Sequence, residues 1–129
     1  MPRQRKTRQR AAIENAFDTT PRPLSPGEVH GIARREVVNL GIATVYRALN
    51  DMVADKILRT VELPGLAPRY EKAGLKHHHH FHCNRCDKVF DLDGCLLRSD
   101  LNLPAGFHVT GHDITLSGTC PRCGGPPGE

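Results

Sequence analysis

Two short cysteine pairs, Cys83-Asn84-Arg85-Cys86 and Cys120-Pro121-Arg122-Cys123, carry the strongest chemical signal in the chain. The Cys-x-x-Cys spacing sets both sulfurs of a pair on one side of a tight turn. Two such pairs supply four thiolates, and four sulfurs at about 2.3 Å make a closed, tetrahedral zinc site of the structural kind. Arg85 and Arg122 lie inside the turns, where they offset the negative charge of the cluster. The competing readings are a redox dithiol or isolated buried thiols. The odd total of five cysteines also counts against a framework of disulfides.

A second signal is the run His77-His78-His79-His80-Phe81-His82. Alternate residues of an extended segment face the same way. His78 and His80 therefore point together, and His77 and His79 point to the other side. Paired imidazoles completed by carboxylates suit divalent transition metals, with softer selectivity than a four-thiolate site. Glu71, Asp91 and Asp93 are the nearby acids. A solvated polar run or an affinity tag is the bland alternative, and a position inside a strand pattern argues against it.

These side chains need a scaffold, and the elements are legible in outline. Ala12, Ile13, Ala16 and Phe17 form the apolar stripe of a helix over residues 7–18, ended by Pro21 and Pro23. Ser25-Pro26-Gly27-Glu28 is a capping box with proline at the first helical position, so a second helix starts there. A third begins near Ile42-Ala43-Thr44, with Val45, Ala48, Leu49 and Met52 at core spacing. Its other side shows Thr44, Arg47 and Asp51, with Tyr46 and Asn50 beside them. Residues 57–63 alternate as a strand, and Arg69-Tyr70-Glu71 returns as its partner. Three helices and a β-hairpin are the plan of a winged helix.

The following segment is built of shorter pieces. Strands are expected at 81–83, 88–92 and 112–120, a short helix at Cys95–Leu101, and a disordered tail from Gly124 to Glu129. The boundary falls at residues 72–77, which separates a domain at 1–72 from one at 77–124. Charge divides at the same place. Residues 1–76 hold 14 Lys and Arg against 8 Asp and Glu, and residues 77–129 hold 4 against 6, a net +6 beside −2. Five of the first ten residues are basic, which points to a polyanionic partner for the first domain. The opening residues lack the apolar run of a signal peptide, and no stretch is apolar for long enough to span a bilayer. The expectation is a cytoplasmic protein without a membrane partner, where cysteine pairs are metal ligands more often than disulfides.

The segments Gly41-Ile42-Ala43-Thr44-Val45-Tyr46-Arg47-Ala48-Leu49 and His77 to Val89, with Thr7-Arg8-Gln9-Arg10 and the closing Cys-x-x-Cys, resemble the ferric uptake regulator family of metal-dependent dimeric repressors. The resemblance covers essentially the whole chain. It implies an α+β chain: an N-terminal winged-helix DNA-binding domain, then a small α/β dimerisation domain with a structural zinc site. It implies that a homodimer binds a partly palindromic double-stranded DNA operator. Arg8, Thr44, Tyr46, Arg47 and Asn50 would face the DNA, the last four from the recognition helix and Arg8 from a basic arm. It maps a regulatory site for Fe2+, Mn2+ or Zn2+ onto Glu71, His78, His80 and Asp91. A further histidine found in many members, just before the second helix, is absent from Arg22-Pro23-Leu24-Ser25. His30 does not match that position and is expected at the surface. A second site maps onto His77, His79 and His112; its usual acid has no clean counterpart, and Asp100 is a candidate. Cys95 is read as an ordinary buried thiol, with an extra ligand favouring zinc as the alternative.

The implied activity is repression of metal-uptake or stress genes while metal is plentiful. A peroxide sensor of the same family, oxidising its own iron ligand, shares the ligand types. A zinc-dependent hydrolase is the remote alternative, since no motif supplies its general base.

Overall fold

The computed structural model describes residues 2–95 and 102–124. The chain divides into two compact units, Met1–Gly74 and Leu75–Glu129.

The first unit is helical and then a hairpin. Helix α1 runs Pro2–Thr19, beginning five residues before the expected start. The basic residues expected to form an arm are thus turns of a helix. Gln, Arg and Lys are good helix formers, and proline is tolerated in a first turn. Helix α2, Pro26–Ala33, is capped as its sequence predicts: Ser25 accepts from the Glu28 N–H, and Glu28 accepts from the Ser25 N–H. Arg22 reaches the same carboxylate. Helix α3, Ile42–Ala54, buries Val45, Leu49 and Met52 and ends before Lys56, whose φ of 62° breaks the helix.

Strands β1, Leu58–Val61, and β2, Arg69–Lys72, pair antiparallel with Arg59 opposite Glu71. Leu24 adds a bridge to β2, exchanging both backbone hydrogen bonds with Tyr70 at 2.8 Å. The segment between α1 and α2 is thereby pinned to the edge of the two-stranded wing. Ile13, Leu24, Val29, Val45, Leu49 and Met52 are wholly buried and form the heart of one core. His30 departs from its expected surface place. It is half-buried, and its Nε2 donates to the Leu40 carbonyl at 2.8 Å, tying α2 to the turn that leads into α3.

The second unit is a three-stranded sheet in the order β4-β3-β5. Strand β3, His78–Cys83, is central; β4, Val89–Asp93, lies antiparallel to it and β5, Thr115–Gly118, parallel. His78, His79 and His80 are part of the strand, as the alternating reading of the run requires, so β3 reaches back beyond the expected 81–83 segment. The strand expected at 112–120 shrinks to four residues, and His112 precedes it. Gly118 is where Phe81 crosses: a Cβ there would lie 3.3 Å from the ring. Residues 96–101, including Asp100 and most of the expected helix, and residues 125–129 of the expected tail lie outside the described residues. Among those described, no helix is long and apolar enough to cross a membrane.

Candidate metal centres and nucleic-acid face

The second unit gathers two knuckles at one end of its sheet. After β3, the Cys83 carbonyl accepts from the Asp87 N–H at 2.9 Å, and Asp87 closes the turn with a φ of 63°. After β5, the Cys120 carbonyl accepts from Cys123 and Gly124 at 3.0 and 2.7 Å. Arg85 joins the knuckles, donating to the Cys123 carbonyl at 3.0 Å. The four sulfurs lie within 4.8 Å of one another. Cys86 Sγ and Cys120 Sγ are 3.8 Å apart. That is the edge of a tetrahedron whose centre-to-sulfur bonds are about 2.3 Å, and far beyond the ~2.05 Å of a disulfide.

The protonation of this cluster is unequal. The Cys86 N–H, helped by those of Cys120 and Arg85, holds the Cys83 thiol down to about 6 against the effect of burial. Cys120 is desolvated by burial, yet the N–H groups of Cys123 and Arg122 bring it down too. Cys123 is pushed up to about 12, first by its hydrogen bond to Cys120 and then by burial. The backbone is built for anionic sulfur, and the crowded sulfurs need a cation to be anionic together. These residues fit a four-thiolate zinc.

On one face of β3, His78 and His80 stand with ring centroids 4.9 Å apart. Asp91, opposite His80 on β4, brings Oδ1 to 3.3 Å from His78 Nε2 and 3.5 Å from His80 Nε2. His78 Nδ1 donates to the Lys76 carbonyl at 2.6 Å, which fixes the ring with Nε2 turned to Asp91. Both rings are buried. Two imidazoles and a carboxylate converge there, donor types that suit a divalent ion. Glu71 belongs to the first unit; it is buried on β2, with Oε2 2.6 Å from Arg59 Nε.

On the opposite face, His77, His79 and His112 come together, with ring centroids 4.6 to 5.1 Å apart. Burial, then the nearby His77 and His112, lowers the pKa of His79 and keeps it in the neutral form that ligates metals. Cys95 is exposed, contrary to the buried thiol expected from the sequence, and its Sγ is 3.1 Å from His112 Nε2. Spacing alone gives no hint of this, because Cys95 and His112 meet only through the sheet register. His82 is engaged elsewhere, 2.7 Å from Asp87 Oδ1.

In the first unit, Thr44, Tyr46, Arg47 and Asn50 line the outer side of α3, and Tyr46 is half exposed. Arg47 donates to Thr44 Oγ1 at 3.2 Å. Arg8 is exposed on α1. Lys6, Gln9 and Arg10 of α1 line one surface depression with Thr44 and Arg47. Arg10 is partly committed to Asp55 at 3.1 Å. A basic, hydrogen-bonding helix face of this kind suits phosphates and base edges.

A model of the ferric uptake regulator family matches residues 3–117. The chain is 34% identical over 89 residues to the ferric uptake regulation protein of Campylobacter jejuni, a match that covers 67% of this chain and 57% of that protein. It thus spans little more than half the length of that relative. The zinc uptake regulation protein of Mycobacterium tuberculosis is 31% identical over 122 residues, covering 92% of this chain and 94% of that one. Among solved structures, the Helicobacter pylori ferric uptake regulator matches with a TM-score of 0.65 at 23% identity, over 92% of this chain and 81% of that one. That protein has three functional metal binding sites.

Proposed function

From the premise that this chain belongs to the ferric uptake regulator family, we propose that it is a cytoplasmic, divalent-metal-responsive repressor that binds a partly palindromic DNA operator as a homodimer. The family consists of regulators, not enzymes, so the hydrolase alternative falls away. The observation that carries the reading is the convergence of His78, His80 and Asp91 on one buried face of β3 and β4.

In this reading Cys83, Cys86, Cys120 and Cys123 hold a permanent zinc that staples the second unit. His78, His80 and Asp91, joined by Glu71, form the exchangeable regulatory site for Fe2+, Mn2+ or Zn2+. His77, His79 and His112 form a second set. A bound divalent ion supplies a positive centre that favours whichever arrangement of the chain brings these donors together, and binding shifts the population towards it. Glu71 closes the wing, while His78 begins the sheet seven residues later. Gathering both at one point fixes the link between the DNA-binding unit and the dimerising unit. In a dimer, that fixes the spacing of the two α3 helices against successive half-sites. Arg22, Pro23 and Leu24 carry no metal-donor side chain, so that stretch adds no ligand. The chain then offers the regulatory site four donors, or holds its first unit to the metal less directly.

Metal analysis of the purified protein, alongside operator binding titrated separately with iron, manganese and zinc, tests this reading. It predicts one zinc that survives mild chelation and an operator affinity that rises with one of the three metals. Equal binding with and without metal would contradict it. Mass spectrometry of the peroxide-treated iron form should show His78 and His80 unmodified; an added oxygen on either reassigns the chain to peroxide sensing.

A further inference from the structure

We propose that Cys95 is the fourth donor of the His77, His79 and His112 set, and that its thiolate makes this site select zinc over manganese and iron. The proposal rests on the reading that the three histidines bind metal, and adds the ligand that decides which one.

Strand register brings the four together. In the parallel pair His80 faces Thr115, so continuing three residues back sets His77 beside His112. In the antiparallel pair His78 faces Asp93, so the next step sets His77 beside Gly94. Gly94 has a φ of +79°, a left-handed conformation that suits glycine. The chain turns there and delivers Cys95 to the same end of the sheet.

The donor atoms of all four residues lie within 4.8 Å of one another. His112 Nε2 is 3.1 Å from both His77 Nε2 and Cys95 Sγ. A tetrahedral zinc with nitrogen at about 2.0–2.1 Å and sulfur at about 2.3 Å has edges of about 3.3–3.6 Å, so a small outward adjustment completes it. His79 supplies the independent sign of a ligand. It is 1% exposed, and its Nε2 is buried without a hydrogen-bond partner among the described residues. Leaving such a nitrogen unsatisfied is costly. Its Nδ1 accepts from the Ile114 N–H at 3.3 Å. Ligation through Nε2 moves the ring proton to Nδ1 and gives up only that long contact.

Three imidazoles and one thiolate form a closed, borderline-soft set. Thiolate favours zinc, whereas manganese prefers oxygen. A carboxylate at the Cys95 position would reverse that preference. Because Cys95 and His77 are exposed, this site exchanges its ion with solvent more readily than the four-cysteine cluster.

Cobalt reports sulfur ligation directly. The test uses full-length protein with zinc in the four-cysteine site, carrying His78→Ala and His80→Ala to silence the other face, titrated with Co2+. Visible tetrahedral cobalt bands are expected together with a near-ultraviolet sulfur-to-cobalt band, at constant zinc content. Cys95→Ser should keep the visible bands, lose the near-ultraviolet band and weaken cobalt binding by at least tenfold. Cys95→Asp should bind manganese more tightly than the unchanged protein does. A near-ultraviolet band that survives Cys95→Ser, or visible bands with no such band while Cys95 is present, overturns the proposal and leaves the histidine reading standing. Cobalt uptake unaffected by His77→Ala and His112→Ala overturns that reading itself.

Discussion

Cys83 and Cys123 lie within 4.8 Å of each other, yet their thiols are driven apart, one down to about 6 and the other up to about 12. Backbone N–H groups favour the first anion, and a shared proton with Cys120 disfavours the last. A cation at the centre would reconcile four anionic sulfurs, and a bound metal would then be part of the folding free energy of this unit. Replacing Cys120 and Cys123 with serine should therefore abolish both zinc and the folded dimer, read by metal content and by size-exclusion chromatography with light scattering. A normal dimer lacking zinc would remove the structural role. The cysteine pairs were legible because each ligand pair is local, four residues long. Cys95 is legible only as an alternative ligand: 17 residues separate it from His112, and the strand register brings them together. His30 was misjudged for a similar reason, since its partner is a carbonyl ten residues away.

At the scale of elements, the start of α2 was readable to the residue because capping chemistry is written in four consecutive side chains. Ser25→Ala should cost about 1 kcal/mol of unfolding free energy, measured by urea denaturation. The Glu28 carboxyl is partly desolvated by burial, which raises its pKa; its bonds to Arg22 and to the Ser25 N–H outweigh this and set it below the ordinary carboxylate value. A lowered folded-state pKa contributes stability that is present above the unfolded value of about 4.3. That contribution fades as pH falls through the lower folded value, so Glu28→Gln should flatten the acid limb of the stability profile. An unchanged limb would show that the capping carboxylate is not coupled to folding. The bridge at Leu24 has no local signal, because Pro21, Pro23 and Pro26 around it mark a loop; it depends on the chain meeting β2 from afar. Strand β3 takes in His78–His80 although histidine carries little strand propensity, because burial between β4 and β5 overrides it.

For the whole molecule, charge and metal chemistry divide between the units: a net +6 over residues 1–76 and all five cysteines with seven of eight histidines after them. The basic half should bind its operator with a steep salt dependence. Arg47→Ala should weaken binding, and if Arg47 holds a phosphate the slope of log affinity against log salt should shrink by about one. Loss of discrimination between operators with an unchanged slope would assign it to a base edge instead. The sequence made the two-part plan plain, but the outer faces of β3 acquired meaning only once β4 and β5 were placed beside it. The most direct test of the central claim measures operator affinity with and without added metal in the natural protein and in the His78→Ala, His80→Ala variant. The variant should keep its zinc and its dimer, and added metal should no longer raise its affinity. A variant that still binds the operator only when metal is added would contradict it.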